Sequence, residues 1–216
     1  MRNQVINSIL DEKLIVIVRG VPSDKLLPLA EAMYNGGVRL IEVTYSADGK
    51  VSDEDTANNI KMLVDNFKGK MFIGAGTVLT EKQVELTARA GGSFIISPDT
   101  NPEVIKRTVD LGLVSIPGSL TPSEAQLAHR SGADFVKLFP ITNMGVDYVK
   151  AVRAPLSHIK FLAVGGVDCN NMPEYLKIGI CGFGIGSSIT DKKLIESGDF
   201  EAITKLAEKF VNTAKQ

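Results

Sequence analysis

Eight short runs of apolar and β-branched residues recur along the chain. Their starts lie 20 to 31 residues apart, which leaves room for one helix and two short loops in each interval. Apolar runs of this length that end in polar or glycine-rich segments are typical of buried strands. We therefore predict eight strands, at residues 14–20, 39–46, 70–76, 93–98, 113–119, 135–140, 159–166 and 180–188.

The intervals between the runs contain residues that begin helices. Thr80 and Gln83, like Thr121 and Glu124, have the spacing of a capping box, in which each side chain accepts from the backbone N–H of the other residue. The pair Asn101-Pro102 combines a capping amide with a proline that already has a helical φ angle. Each of these three positions predicts the start of a helix.

Three further helices and the helix ends complete the pattern. Residues 1–13 place apolar side chains at helical spacing among polar ones, and residues 52–67 and 191–213 each predict one more helix. Glycine favours the left-handed conformation that often ends a helix. The predicted helix ends are Gly36, Gly91, Gly112, Gly132 and Gly179.

Strand and helix alternate through the whole sequence, which predicts a parallel sheet with helices packed outside it. Eight units without a linker between them favour a closed barrel over an open doubly wound sheet. An open nucleotide-binding sheet also has a glycine fingerprint after its first strand, whereas the first run here ends in Arg19 and Gly20 without one. The predicted fold class is α/β, a single (β/α)₈ TIM barrel with a short N-terminal helix, in one domain over residues 1–216.

Composition and charge narrow the classes of function. The 216 residues carry a net charge of −1, so the chain has no basic surface for nucleic acid. The longest strongly apolar stretch, residues 14–18, is far below the roughly 20 residues of a membrane span. Cys169 and Cys181 stand alone, which indicates a reduced, cytoplasmic protein. We expect neither a nucleic-acid nor a membrane partner.

Lys137 lies in the middle of the sixth run. Because side chains alternate across a strand, Lys137 shares a face with Phe135 and Phe139. Burial there disfavours the ammonium and lowers its pKa, which suits an amine that attacks a carbonyl group. The simpler interpretation is a lysine whose stem passes apolar neighbours and whose amine reaches water.

Glu42 lies within the second run, between Ile41 and Val43. A carboxylate inside an apolar strand is costly unless it is paired or takes part in proton transfer. Two interpretations remain open from the residues: a structural ion pair with Arg19 or Lys137, and a carboxylate that moves protons for the lysine.

The seventh and eighth runs end in glycines, at Gly165-Gly166 and around Gly186 and Ser187. Barrels often bind phosphate at these two strand ends, because glycine lets backbone N–H groups approach the anion. Tight turns or close packing would use the same residues. We predict an anion site here.

Metal chemistry has little support in the sequence. His129 and His158 are the two histidines, and neither pairs with a carboxylate at ligand spacing. We therefore expect neither a metal ion nor a cofactor. Serine or cysteine nucleophiles lack a positioned histidine for the same reason.

Seven segments in order resemble the 2-keto-3-deoxy-6-phosphogluconate (KDPG) aldolase family. This family includes 4-hydroxy-2-oxoglutarate (KHG) aldolase activity and a 2-keto-3-deoxy-6-phosphogalactonate branch. The resemblance extends from about residue 13 to residue 213. The segments are Ile-Glu42-Val-Thr, Gly74-Ala-Gly-Thr77-Val, Ile-Ser97-Pro98, Pro117-Gly118, Val-Lys137-Leu-Phe139-Pro140, Gly165-Gly166-Val and Gly186-Ser187.

The resemblance implies a metal-independent class I aldolase on a barrel, usually a trimer, acting on a small keto acid that carries phosphate. It implies that Lys137 forms a Schiff base and that Glu42 is the general acid/base. The implied substrate contacts are Arg19 near the substrate, Thr77 at the pyruvate carboxylate, Pro98 and Phe139 along the pocket, and Gly165, Gly166, Gly186 and Ser187 at the phosphate.

One position departs from the family. Gluconate-type members usually place an arginine two residues after the threonine of the second strand, where this chain has Ser46. A hydroxyl cannot replace the two-point grip of a guanidinium on an anion. The sequence therefore leaves three candidate substrates: KDPG, KHG and 2-keto-3-deoxy-6-phosphogalactonate. Two other functions also remain open, a non-aldolase phosphosugar barrel enzyme and a catalytically silent sugar-acid-binding protein.

Overall fold

All eight predicted runs contain strands, and every strand is parallel to its neighbours. The computed structural model describes residues 1–216. Pro117, which has no backbone N–H, divides the fifth run into two short strands. The strands are β1 (Leu14–Val18), β2 (Leu40–Thr44), β3 (Phe72–Gly76), β4 (Phe94–Ile96), β5 (Val114–Ile116), β6 (Gly118–Ser119), β7 (Val136–Leu138), β8 (Phe161–Val164) and β9 (Gly182–Ile185).

The sheet closes on itself through the fifth run. Its strand order is β5-β4-β3-β2-β1-β9-β8-β7-β6, so the two ends are the halves on either side of Pro117. Across the junction, the Lys137 N–H donates to the Pro117 carbonyl at 2.9 Å and the Phe135 N–H donates to the Ser115 carbonyl at 3.3 Å. The predicted (β/α)₈ barrel with a short N-terminal helix is confirmed.

Helices follow the strands and cover the barrel from outside. No helix is long and apolar enough to span a membrane. They are α1 (Arg2–Glu12), α2 (Ser23–Asn35), α3 (Asp53–Asn66), α4 (Glu81–Arg89), α5 (Pro102–Asp110), α6 (Pro122–Arg130), α7 (Gly145–Arg153), α8 (Met172–Lys177), α9 (Lys192–Ser197) and α10 (Phe200–Ala214), with a 3-10 turn at Ala154–Leu156.

Two separate apolar cores hold the barrel. The larger one lies between the strands and the surrounding helices. The smaller one fills the barrel interior, where Val5 and Ile9 of α1 pack with Phe94, Val114 and Phe135 near the beginnings of their strands. Helix α1 therefore closes the end of the barrel at which the strands begin, and the opposite end stays open for a site.

The predicted helix starts are confirmed, with one difference. Thr121 and Glu124 form the reciprocal capping box, and the Asn101 side chain accepts from a backbone N–H in the first turn of α5. The Thr80 hydroxyl accepts from the Gln83 N–H. The Gln83 side chain, however, turns away from the N–H of Thr80, so that box is only half formed.

Two expectations about helix ends were wrong. The predicted helix over residues 191–213 is two helices, because Gly198 adopts φ 75° and ends α9 before α10 begins. The left-handed residue after α2 is Gly37, with φ 91°, and not Gly36. A Cβ atom at Gly36 would lie 2.5 Å from the Cβ of Ala207, so Gly36 is needed for the close approach of α2 and α10. The other four predicted glycines have positive φ angles.

Replacement of Gly74 should strain the barrel interior. A Cβ at this position would lie 2.5 Å from Cγ and Cε2 of the fully buried Phe94 ring. We expect Gly74→Ala to lower the free energy of unfolding by about 1–3 kcal/mol in urea titrations, as overpacking does. Adding Phe94→Leu to Gly74→Ala should recover part of this loss, and additive losses from the two changes would contradict the packing argument.

Candidate active site

A cleft of about 1070 Å³ opens at the end of the barrel where the strands finish. The loops after β1, β8 and β9 form much of its wall, and the barrel interior forms its floor. The structure brings together all ten residues that the sequence singled out for the site: Arg19, Glu42, Thr77, Pro98, Lys137, Phe139, Gly165, Gly166, Gly186 and Ser187. This position agrees with the general location of sites in TIM barrels.

Lys137 lies on β7 with its side chain inside the barrel. Only 7% of the residue is exposed, and its Nζ lies 4.4 Å from the centre of the Phe139 ring. Burial lowers the pKa of the Lys137 amine, and the positive charge of Arg19 lowers it further, whereas the charge of Glu42 acts in the opposite direction. The amine is thus inclined towards the neutral, nucleophilic form. The interpretation that its amine reaches past apolar neighbours into water does not hold.

Glu42 lies on β2, where 2% of the residue is exposed and its Oε2 atom has no hydrogen-bond partner. Burial raises the pKa of the carboxyl group, and the charges of Lys137 and Arg19 oppose that rise. No ion pair within 4.0 Å links Glu42 to either cation. The structural ion pair that the sequence left open is therefore not formed, and the carboxyl group remains free to exchange a proton.

Gly76 makes the space that the Glu42 carboxyl group occupies. A Cβ at Gly76 would lie 2.5 Å from Oε1 and 2.7 Å from Cδ of Glu42. In the register of β2 and β3, Gly76 pairs with Thr44, which lies two residues after Glu42. Residues two apart in a strand share a face, so Gly76 and Glu42 lie on the same face of the sheet. In the sequence, Gly76 stands out only as part of the Gly74-Ala-Gly-Thr77 segment. Its contact with Glu42 could not be predicted, because it depends on the register in which β2 and β3 pair.

Arg19 and Thr77 meet across the mouth of the cleft. The Nη2 atom of Arg19 donates to the Thr77 Oγ1 atom at 3.0 Å. Thr77 follows β3 with φ 57°, a left-handed conformation that is unfavourable for a β-branched residue. Backbone strain of this kind persists where the surroundings hold it, and it is frequent at functional sites.

Unused backbone donors collect at the glycine end of the cleft. Gly165 and Gly166 have φ angles of 92° and 73°, and the carbonyl of Gly186 begins a single turn by accepting from Ile189 and Thr190 at 2.9 and 3.0 Å. The N–H groups that find no acceptor within the chain include those of Gly165, Gly166, Ser187 and Ser188. Such a group of free donors suits an anion.

The surroundings of the cleft include Ser46, which the sequence set apart, and two residues that were not predicted from it. Ser46 lies in a neighbouring cleft of about 600 Å³ that meets the main cleft at Arg19 and Ala47. Lys192 and Glu196 of α9 also line the main cleft. They were missed because residues 191–213 were interpreted as one outer helix. At the surface, the His129 and His158 rings lie 5.0 Å apart, outside the cleft.

The fold and the site together define a class of protein. A parallel barrel whose open end has a buried amine of lowered pKa beside a free carboxyl group is the arrangement of a Schiff-base aldolase, a carbon–carbon lyase. The chain belongs to the KDPG and KHG aldolase family, whose model matches residues 5–206.

Named relatives lie in two branches of this family. The 2-dehydro-3-deoxy-6-phosphogalactonate aldolase of Escherichia coli K12 is 36% identical over 82% of this chain and 83% of its own length. The 2-dehydro-3-deoxy-phosphogluconate aldolase of Haemophilus influenzae is 31% identical over 98% and 97%. Both relatives are aligned over most of their length.

Solved structures agree with these relatives. A native KDPGal structure superposes with a TM-score of 0.83 at 34% identity and covers 93% of each chain. The KDPG aldolase of Legionella pneumophila, with pyruvate captured as a covalent carbinolamine, has a TM-score of 0.83 at 28% identity and covers 94% of this chain and 96% of its own.

The charges around Lys137 should set its titration. After reductive ¹³C-methylation of the lysines, NMR titration should show Lys137 losing its proton at lower pH than the exposed lysines. Glu42→Gln removes a charge that stabilises the ammonium, so the pKa of Lys137 should fall further. Arg19→Met removes a repelling charge, and the pKa should rise. Titration of Lys137 together with the exposed lysines would contradict this account.

Proposed function

We propose that this chain is a class I aldolase that cleaves a 2-keto-4-hydroxy acid to pyruvate and an aldehyde, with Lys137 as the Schiff-base residue and Glu42 as the proton carrier. One observation carries the proposal. The buried Lys137 amine, inclined to be neutral, faces the floor of the cleft in the company of a Glu42 carboxyl group that no other group binds.

The first half of the reaction joins enzyme and substrate. The neutral Lys137 amine attacks the C2 carbonyl, an N–C bond forms as the C–O π bond breaks, and the proton that the nitrogen loses passes to the carbonyl oxygen through Glu42 to give a neutral carbinolamine. Glu42 in its protonated form then gives a proton to the departing hydroxyl group. Loss of water leaves a positively charged imine.

The second half breaks the carbon–carbon bond. The Glu42 carboxylate takes the proton of the C4 hydroxyl group, the C3–C4 electron pair moves into the imine, and the aldehyde leaves. Glu42 gives that proton to C3 of the enamine and restores the imine; water then hydrolyses the imine, pyruvate and the neutral Lys137 amine are released, and the proton set free returns to Glu42. One amine and one carboxyl group therefore suffice, which supports the expectation that no cofactor is needed.

Substrate contacts follow from the two ends of the cleft. In this proposal Thr77, which accepts a hydrogen bond from Arg19, binds the keto-acid carboxylate, and Pro98 and Phe139, which line the cleft, flank the carbon chain. At the other end, the free N–H groups around Gly165, Gly166, Gly186 and Ser187 bind a phosphate. This assignment gives a phosphorylated substrate two anionic anchors.

The substrate proposed is KDPG, KHG or both, with glyceraldehyde 3-phosphate or glyoxylate as the aldehyde. The galactonate analogue of KDPG is a second candidate, because the Escherichia coli relative with 36% identity is named for it. Ser46 lies beside the main cleft, at the position where gluconate-type members usually have an arginine, and its hydroxyl cannot make the two-point contact of a guanidinium with an anion. Comparison of kcat/KM for the three acids would choose between them.

We expect pyruvate and borohydride to label Lys137. Reduction of the imine should add a stable pyruvyl group to the peptide that contains Lys137, as detected by mass spectrometry, and Lys137→Ala should remove the label. A non-aldolase barrel enzyme or a silent sugar-acid-binding protein would give none. Absence of label under conditions that label a known class I aldolase would reject the proposal.

The role of the glycine end can be tested at one N–H group. Ser187→Pro removes the N–H at the second position of the turn, where proline is tolerated, and Ser187→Ala keeps it. Ser187→Pro should raise the KM of a phosphorylated acid roughly tenfold, because a hydrogen bond to a charged group is lost. Cleavage of unphosphorylated KHG should stay near the parent value in both variants. An equal loss for both substrates would argue against a phosphate site.

Assembly and location are further parts of the proposal. We propose a homotrimer in the cytoplasm. Both cysteines are free, which agrees with a reducing compartment. A solved structure that is 34% identical is described as a cage designed by fusing symmetric oligomeric domains, which supports a symmetric oligomer. This chain covers 71% of that fusion. Light scattering would give the number of subunits.

A further inference from the structure

We propose that Gln83 is a positioning residue for the cleft, because its side chain ties the Thr77 turn to the start of α3. This inference rests on the proposed function. Gln83 lies in the first turn of α4, is 9% exposed, and is not among the residues that line the cleft. Gln83 can therefore affect substrate binding only through the Thr77 turn and the start of α3, which its side chain contacts.

The Gln83 amide links two loops that are distant in sequence. Its Oε1 atom accepts from the Leu79 N–H at 2.8 Å, and its Nε2 atom donates to Asp53 Oδ1 at 3.0 Å. Leu79 is two residues beyond Thr77, and Asp53 is the first residue of α3. Both ends of the amide are thus engaged, one at the Thr77 turn and one at the start of α3.

The first link stabilises a strained turn. Thr77 has φ 57°, and the N–H groups of the next two residues hold the turn in place. Val78 donates to the Ile96 carbonyl at 3.2 Å, and Leu79 donates to Gln83. Strained backbone persists only where its surroundings hold it. Loss of the bond from Leu79 should therefore destabilise the turn and, with it, the orientation in which Thr77 accepts from Arg19.

The second link stabilises the loop after β2. The hydroxyl of the buried Tyr45 donates to the Gln83 carbonyl at 3.1 Å, and Asp53 binds the Gln83 amide. The segment between them, residues 46–52, contains Ser46 and forms part of the neighbouring cleft. Residue 83 therefore contacts both ends of this segment, through its backbone carbonyl at Tyr45 and through its side chain at Asp53, and only the Asp53 end depends on the side-chain amide.

A helix cap alone would explain part of the contact. Thr80 already caps α4 by accepting from the Gln83 N–H. If the Gln83 side chain only stabilised the helix, its loss would lower the thermal stability and leave the kinetic constants of the folded enzyme unchanged. If it positions Thr77, the affinity for the keto acid must change.

The test compares three variants at a temperature at which all are folded. Gln83→Leu removes both links, and the KM for the keto acid should rise about tenfold with a smaller change in kcat, since small displacements of binding groups weaken productive binding. Gln83→Glu keeps an acceptor for Leu79 and should give a KM closer to that of the parent. Thr108→Val, which removes a buried helical hydroxyl bond far from the cleft, should lower stability alone.

A double-mutant cycle identifies the route. If Gln83 acts through Thr77, then Gln83→Leu should raise KM much less in a Thr77→Ala background than in the parent. Parental KM and kcat in folded Gln83→Leu would overturn the inference, and so would full additivity with Thr77→Ala. Should Gln83→Leu fail to fold, Asp53→Ala, which leaves the Leu79 bond in place, should keep a KM near that of the parent, and a tenfold higher KM for Asp53→Ala would overturn the link through Leu79. Labelling of Lys137 in the parent protein reports separately on the proposed function.

Discussion

Burial of two ionisable groups inside one barrel is the constraint on which the site depends. Removal of water raises the pKa of Glu42 and lowers the pKa of Lys137, so both groups tend towards their neutral forms. A direct ion pair would have the opposite effect, because each charge would stabilise the other. The structure keeps the two groups more than 4.0 Å apart. Their mutual attraction therefore opposes the effect of burial without cancelling it, and the pKa of the Lys137 amine stays lowered.

Small residues on the neighbouring strands make room for large and charged side chains inside the barrel. Gly76 leaves the space that the Glu42 carboxyl group fills, and Gly74 accommodates the Phe94 ring deeper in the barrel. On the other side, Gly118 pairs with Lys137 in the register of β6 and β7. A barrel of closely spaced strands can hold a lysine and a glutamate in its interior because glycine alternates with larger side chains on the strands around them.

The sequence was sufficient for the strands and for the presence of Lys137 and Glu42 in the cleft, because both depend on local patterns. A run of apolar residues with a single Lys137 or Glu42 in it is visible without coordinates, and so is a glycine pair at a strand end. The role of Gln83 was not, because its partners Leu79 and Asp53 come together only in the folded chain. The break at Gly198 was not predicted for another reason. The apolar residues on both sides of it have helical spacing, and this spacing alone does not reveal that the helix axis changes direction.

The same burial that lowers the pKa of Lys137 also favours the later step of the proposed reaction. Once the imine forms, its nitrogen carries a positive charge in a site with little water, and that charge is poorly solvated. Electrons from the C3–C4 bond neutralise it when the aldehyde leaves, so the surroundings favour the neutral enamine over the charged imine. Glu42 gains from the same step, because its ionised form must accept the C4 proton and burial makes that form the stronger base. One physical cause, the exclusion of water from the barrel interior, therefore serves the attack, the proton transfer and the bond cleavage.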